Sequence, residues 1–227
     1  MKPAFSFIAL LAGVPAAMAA SLLTLTNPVA DGAITTTAGN NDRSDWAGVT
    51  AFPADPNESL TTDFQAVSFA QDSTNFYLRQ QMFATDAGGF LHNNQMLFLD
   101  TDQNRATGYL GPNGLFAVGG EYMLQGPTFY QYTGTGTDWS WTWLGPVTSY
   151  DDWPLNDHEM TFSRSTIGNP VAFDFIAATD FWGGGDAYPD TAHGGAPGGY
   201  YTYTTVPEPA AFLLLAMVPL LAARRRR

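Results

Sequence analysis

Between residues 64 and 205 apolar and polar positions alternate in short runs, each closed by Gly, Pro, Asn or Asp, and no 3.6-residue apolar period is sustained. Period-two alternation sends successive side chains to opposite faces of an extended chain, so each run reads as a strand with one face for a core. In Asn75-Phe76-Tyr77-Leu78-Arg79, Phe76 and Leu78 share one face and Tyr77 and Arg79 the other. The pattern predicts strands at 64–70, 76–83, 95–99, 121–125, 128–133, 139–144, 159–163, 171–179 and 200–205. Nine strands predict an all-β fold, an antiparallel β-sandwich of two sheets, jelly-roll or immunoglobulin-like, in a single domain. One helical turn is expected at 163–167, ended by Gly168-Asn169-Pro170, and a glycine-rich loop at 183–199.

Both ends of the 227-residue chain depart from this pattern. Residues 1–19 have the form of a secretory signal peptide: Lys2, an apolar run, then Ala17-Met18-Ala19 as a small-x-small cleavage site for signal peptidase. The run is broken by Gly13 and Pro15 and is short for a bilayer span. At the other end, Pro207-Glu208-Pro209 is followed by fourteen residues without charge and then Arg224, Arg225, Arg226 and Arg227. As a helix the fourteen residues reach roughly 21 Å, short of the roughly 30 Å hydrocarbon core. A tail anchor stretched by snorkelling arginines is one reading. The three parts in this order resemble the PEP-CTERM sorting signal of Gram-negative bacteria. That resemblance implies that residues 206–227 are such a signal, with export across the inner membrane, transient anchoring by its short C-terminal hydrophobic helix, and processing by an exosortase-type membrane protease. It also implies delivery to the cell surface or extracellular matrix, commonly in species that make exopolysaccharide.

Removing Lys2 and the terminal arginines from nine basic residues leaves four in the body, 20–205, and removing Glu208 from 21 acids leaves 20. The body therefore carries −16 and no lysine. Such a surface repels nucleic acid and anionic lipid and favours solubility after export. Cysteine is absent, which excludes disulfides and thiolate metal sites.

Within this acidic body, Phe98-Leu99-Asp100-Thr101-Asp102-Gln103-Asn104-Arg105-Ala106-Thr107-Gly108-Tyr109 carries an apolar strand straight into oxygen-bearing side chains at 100, 102 and 104. When the backbone curls, that spacing turns Asp100, Asp102 and Asn104 toward one point, as a hard cation such as calcium requires. A bare strand exit, with Asp and Asn capping the turn through its own backbone, is the alternative. An EF-hand is excluded, because Arg105 stands where its sixth-position glycine belongs and Gly111 where its final glutamate belongs.

Several blocks in order resemble the family 9 carbohydrate-binding modules: Asp31-Gly32, Ser44-Asp45-Trp46-Ala47-Gly48, 71–78, Phe98 to Asp102, Gly120-Glu121-Tyr122 and Tyr188-Pro189-Asp190. The resemblance implies a calcium-stabilised sandwich, with Glu121 as a further ligand and Asp31 and Asp45 as lesser ones. Sugar-binding members clamp the ligand between two aromatic rings, and no motif here maps that pair. From the residues themselves, the Trp139-Ser140-Trp141-Thr142-Trp143 run places three indoles on one strand face. Facing out they form a stacking platform for sugar rings; the size of indole predicts that at least two are core. Trp153 and Trp182, in turn-like contexts, join Trp141 as candidate carbohydrate-binding residues, and Trp46 is expected to be a packing anchor.

No catalytic motif is present: His92, His158 and His193 lack metalloprotease spacing, and carboxylates such as Asp151, Asp152, Asp157 and Glu159 form pairs by abundance. The expectation is an exported, non-catalytic, calcium-stabilised sandwich that binds polysaccharide. The alternatives are a structural surface or biofilm-matrix protein and a glycoside hydrolase.

Overall fold

The structure is a computed structural model and describes residues 21, 23–26, 43–54, 63–84, 95–152, 157–179, 186–189 and 199–205. The expected signal peptide and sorting signal lie outside the described residues, as do Asp31, Trp153, Trp182 and Asp190. Among the described residues no helix is long and apolar enough to cross a membrane.

The described chain forms twelve strands: β1 (Leu23–Leu25), β2 (Asp63–Gln71), β3 (Asn75–Ala84), β4 (Gln95–Asp100), β5 (Tyr122–Gln125), β6 (Thr128–Tyr132), β7 (Trp141–Pro146), β8 (Thr148–Asp152), β9 (Asp157–Ser163), β10 (Ala172–Thr179), β11 (Ala187–Tyr188) and β12 (Tyr201–Thr204). One sheet runs β1-β12-β10-β4-β5-β6-β7, with β11 on β10; the other runs β2-β3-β9-β8. All nine expected strands are present, with ends displaced by at most two residues. One pairing departs from the antiparallel expectation: β1 runs parallel to β12, Leu23 opposite Tyr201 and Leu25 opposite Tyr203. The turn after β9 is a 3-10 helix, Arg164–Ile167, capped by Ser163 and closed by left-handed Gly168 (φ 79°).

A common core binds the two sheets. Phe64, Val67, Phe69, Phe76 and Leu78 of the smaller sheet meet Leu97, Leu99, Phe173, Phe175, Tyr201 and Tyr203 of the larger one. Phe69 sits edge-on to Phe173 and Phe175, at 5.1 and 5.0 Å between ring centroids, the arrangement that aromatic quadrupoles favour.

The larger sheet is also covered on its far side. Strand β4 is buried at all six positions: Leu97 and Leu99 face the common core, whereas Met96 and Phe98 join a second cluster with Tyr109, Phe116, Val118, Met123 and Ile176. The segment from 101 to 120 thus folds back as a roof over β4. It is fastened by Arg105, whose guanidinium donates to Phe116 O (2.8 Å) and Gly114 O (3.0 Å).

The smaller sheet has its own cover at 43–50, where Trp46 packs on Ala70 and Tyr77 and its indole N–H donates to Glu159 Oε1 at 2.9 Å. Trp46 is the expected packing anchor. Beneath it Arg79 pairs with Asp157 at 2.7 Å.

Phe69 stands at the aromatic junction between the two sheets. Phe69→Ala is expected to lower unfolding free energy by about 3–5 kcal/mol, read as a fall in the urea midpoint at unchanged slope. Val171→Ala, at an 81 % exposed side chain, should stay within about 0.5 kcal/mol of the parent.

Candidate functional site

Strand β4 ends with Asp100 on the roofed face, in line with Met96 and Phe98, and the register places it opposite Asp174 of β10. Both acids are buried. The chain leaves Asp100 through a turn in which Gln103 adopts φ 54°, and returns to the strand end where Tyr109 and Gly120 exchange backbone hydrogen bonds of 2.9 Å. Two glycines permit this crossing. A Cβ on Gly108 would stand 2.5 Å from the Gly119 backbone and 2.8 Å from Glu121 Oε1, and one on Gly119 would overlap the Thr107 carbonyl. Gly108 also holds φ 71°, where L-residues are strained.

The crossing gathers oxygen atoms. Asp100, Asp102 and Glu121 each offer a carboxylate oxygen, all within 4.8 Å of one another, a set able to hold a metal ion. Asp100 accepts from the N–H groups of Asn104 (3.1 Å) and Gly119 (3.0 Å), and Glu121 Oε2 accepts from Thr101 N–H at 2.8 Å. Asn104 turns its side-chain oxygen to Ala106 N–H (3.1 Å), and its backbone oxygen is the one nearest the cluster's Thr107.

Thr107 was not anticipated as a contributor. Its hydroxyl oxygen lies 3.1 and 3.0 Å from the two Asp102 oxygens, 2.8 Å from Asn104 O and 3.0 Å from Glu121 Oε1. A hydroxyl has one proton for these four acceptors. The other close oxygen pairs need either protons on the acids or a cation among them. Asp174, also unanticipated, accepts from Thr202 (2.6 Å) and Gln103 (3.0 Å) beside the group.

Electrostatics agree with that crowding. Burial, opposed by the Gly119 hydrogen bond and reinforced by the Glu121 charge, raises the Asp100 pKa to about 7. Burial likewise raises Glu121, with Asp102 adding to it, and raises Asp174. The basic residue of the roof, Arg105, faces carbonyls instead of these acids. Every donor in the cluster is oxygen, the ligand type of hard cations.

The same sheet face continues outward as an aromatic surface. Across β6 and β7, Tyr130 lies opposite Trp143 and Tyr132 opposite Trp141. Trp141 is half-buried, with ring centroids 5.0 Å from Tyr132 and 5.6 Å from Tyr109 and Trp139. Trp139 and Trp143 are 47 % and 62 % exposed. The expectation that at least two of these indoles are core is therefore corrected. Strand β7 is the last of its sheet: Trp141 packs, partly buried, against the cluster beneath the roof, while Trp139 and Trp143 stay exposed.

Other sequence candidates fall elsewhere. Asp45 lies near Glu159 on the smaller sheet, where burial first, and the Asp157 and Asp45 charges, raise Glu159 to about 7 against the opposing Trp46 hydrogen bond and Arg79 charge. Asp157 is ion-paired with Arg79, and the buried His158 has Nδ1 3.1 Å from Gln95 Oε1. Pro207, Glu208, Pro209 and the terminal arginines are outside the described residues. Comparison with protein-family models, curated proteins and solved structures gives no match.

The raised acids set a pH dependence. From about pH 4 to pH 7 the folded state keeps protons that the unfolded chain has released, so stability without metal falls as pH rises through this window. In chelator, the melting temperature is expected to drop between pH 5 and pH 8; millimolar calcium should raise it, and more at pH 8, because protons compete for the same oxygens. A melting temperature indifferent to calcium at both pH values would remove the metal reading. Asp102→Asn, at the exposed member of the acid cluster, should raise the calcium midpoint by roughly tenfold while sparing the fold.

Proposed function

We propose that this chain is an exported, non-catalytic, calcium-stabilised β-sandwich, related to the family 9 carbohydrate-binding modules, that binds polysaccharide. Signal peptidase removes residues 1–19, and an exosortase-type protease acts on the Pro-Glu-Pro tail during delivery to the cell surface or matrix. Calcium sits among Asp100, Asp102 and Glu121, with Thr107 and the Asn104 carbonyl as further oxygen donors, and fastens the roof over β4.

The observation that carries the binding reading is the aromatic face of β6 and β7, with Trp143 and Trp139 exposed beside Trp141 and Tyr130. Indole and phenol rings at a surface present flat apolar faces to the C–H faces of sugar rings. Exposed large apolar groups gathered in one patch are uncommon on a soluble surface without a binding role. The acidic body leaves such stacking as the means of holding a neutral glycan, since it has few cations for an anionic one.

A structural role in the matrix is the second reading, and the position of β7 at the end of its sheet favours it. An edge strand with exposed Trp143 and Leu144 is a surface on which a second copy can pair.

Binding assays separate the two. The purified protein should be retained on exopolysaccharide or on glycan arrays, and Trp143→Ala should lower that retention by roughly tenfold; Trp153→Ala and Trp182→Ala test the other two tryptophans. Absence of binding to every glycan, together with concentration-dependent assembly, would transfer the assignment to a structural protein. Release of reducing sugar from a bound polysaccharide would overturn the non-catalytic part.

A further inference from the structure

A groove of about 420 Å³ opens at the corner where the chain passes from one sheet to the other, and no role above accounts for it. Its origin is local. Phe129 pairs with Gly145 and Tyr130 with Trp143, so Leu144 is the extra residue of a β-bulge in the edge strand, next to Gly145 at φ 138°. Trp141 and Trp143 lie on the outer aromatic face and Leu144, by ordinary alternation, on the groove side; the bulge keeps Gly145, opposite the inward-facing Phe129, on that side too. After Pro146 and Val147 the chain enters β8 of the other sheet, and Val147 N–H ties the corner to Pro127 O at 2.9 Å.

We propose that this groove binds one or two sugar residues of a neutral glycan, a second subsite for the carbohydrate reading above, on which it rests. Three features select that occupant. The groove's apolar surface comes from Leu144, with Pro146 and Val147, over the buried rings of Phe129 and Phe162, which lie 5.3 Å apart between centroids. The rim is rich in hydroxyls and amide, from Thr148, Thr161, Ser163, Thr166 and Asn75. The side chains of Asn75, Thr148 and Thr166 make no hydrogen bond among the described residues, so their polar groups remain for a ligand.

The third feature is charge. Among the described residues no acidic or basic side chain lines the groove, although the chain as a whole has 21 acids. An uncharged lining in an anionic body disfavours an anion by the surrounding field and offers a cation no partner. A neutral polyol meets both the apolar floor and the hydroxyl rim. The volume falls in the range of small-molecule sites, about 300–1,000 Å³. Because β7 is the wall common to the groove and the tryptophan face, one glycan chain can contact both across the sheet edge.

Titration calorimetry of the purified protein against cellotetraose, maltotetraose and mannotetraose, with tetragalacturonate as the charged counterpart, tests the assignment. At least one neutral tetramer should bind and tetragalacturonate should not. Thr148→Trp, which fills the groove from an exposed position, should weaken that binding by roughly tenfold or more. Thr166→Ala, which removes one unengaged hydroxyl, should weaken it in the same direction and serves if the larger substitution unfolds the protein. Binding lost in Trp143→Ala but unchanged in both groove variants would overturn the groove and leave the aromatic face standing. Failure of all three neutral tetramers to bind, with retention on polysaccharide and glycan arrays also absent, would overturn both. Equal or tighter binding of tetragalacturonate would overturn the neutral assignment.

Discussion

A strand buried on both faces needs two cores, and β4 is such a strand. The opposing sheet supplies the first. The second has to come from the larger sheet's own connections, and the segment between β4 and β5 folds back to provide it with Tyr109, Phe116 and Val118. The acidic cluster follows from this requirement. Asp100 ends a strand that the roof covers, so its carboxylate is buried where the chain must also turn, and the returning strand brings Glu121 beside it. Roof and acid cluster depend on each other: the crossing at Gly108 and Gly119 closes the cover and sets the oxygen spacing at once.

Much of the fold was legible because strand burial writes itself into alternation. The runs around Phe76-Leu78 and Phe173-Phe175 announce one apolar face each, and Met96-Leu97-Phe98-Leu99, apolar at every position, announces two. The strands missed have no such mark. β11 is two residues long, β1 has three, and the polar Thr-Ser-Tyr-Asp-Asp of β8 is an edge of the smaller sheet. Nothing local specifies that Leu23 lies beside Tyr201; that contact joins opposite ends of the sequence.

At the site, the spacing of Asp100 and Asp102 was readable because both lie on one short turn. Asp174 was not, since its place beside Asp100 exists only in the cross-strand register. Thr107 stood within the stretch but without a signal, because the glycines flanking the crossing act through space, with Gly119 eleven residues beyond Gly108. The tryptophans misled for a related reason. Residue type gives indole a preference for burial, whereas the position of β7 at the end of the sheet decides its exposure.

The parallel pairing of β1 with β12 has a mechanical meaning. In a parallel pair the beginning of one strand and the end of the other lie at opposite ends of the ladder. Tension that enters before Leu23 and leaves after Thr204 therefore slides the two strands past each other and loads their hydrogen bonds together. An antiparallel pair pulled through the same residues would open one bond at a time, like a zip. The sheet is built so that traction along the chain meets its stiff direction.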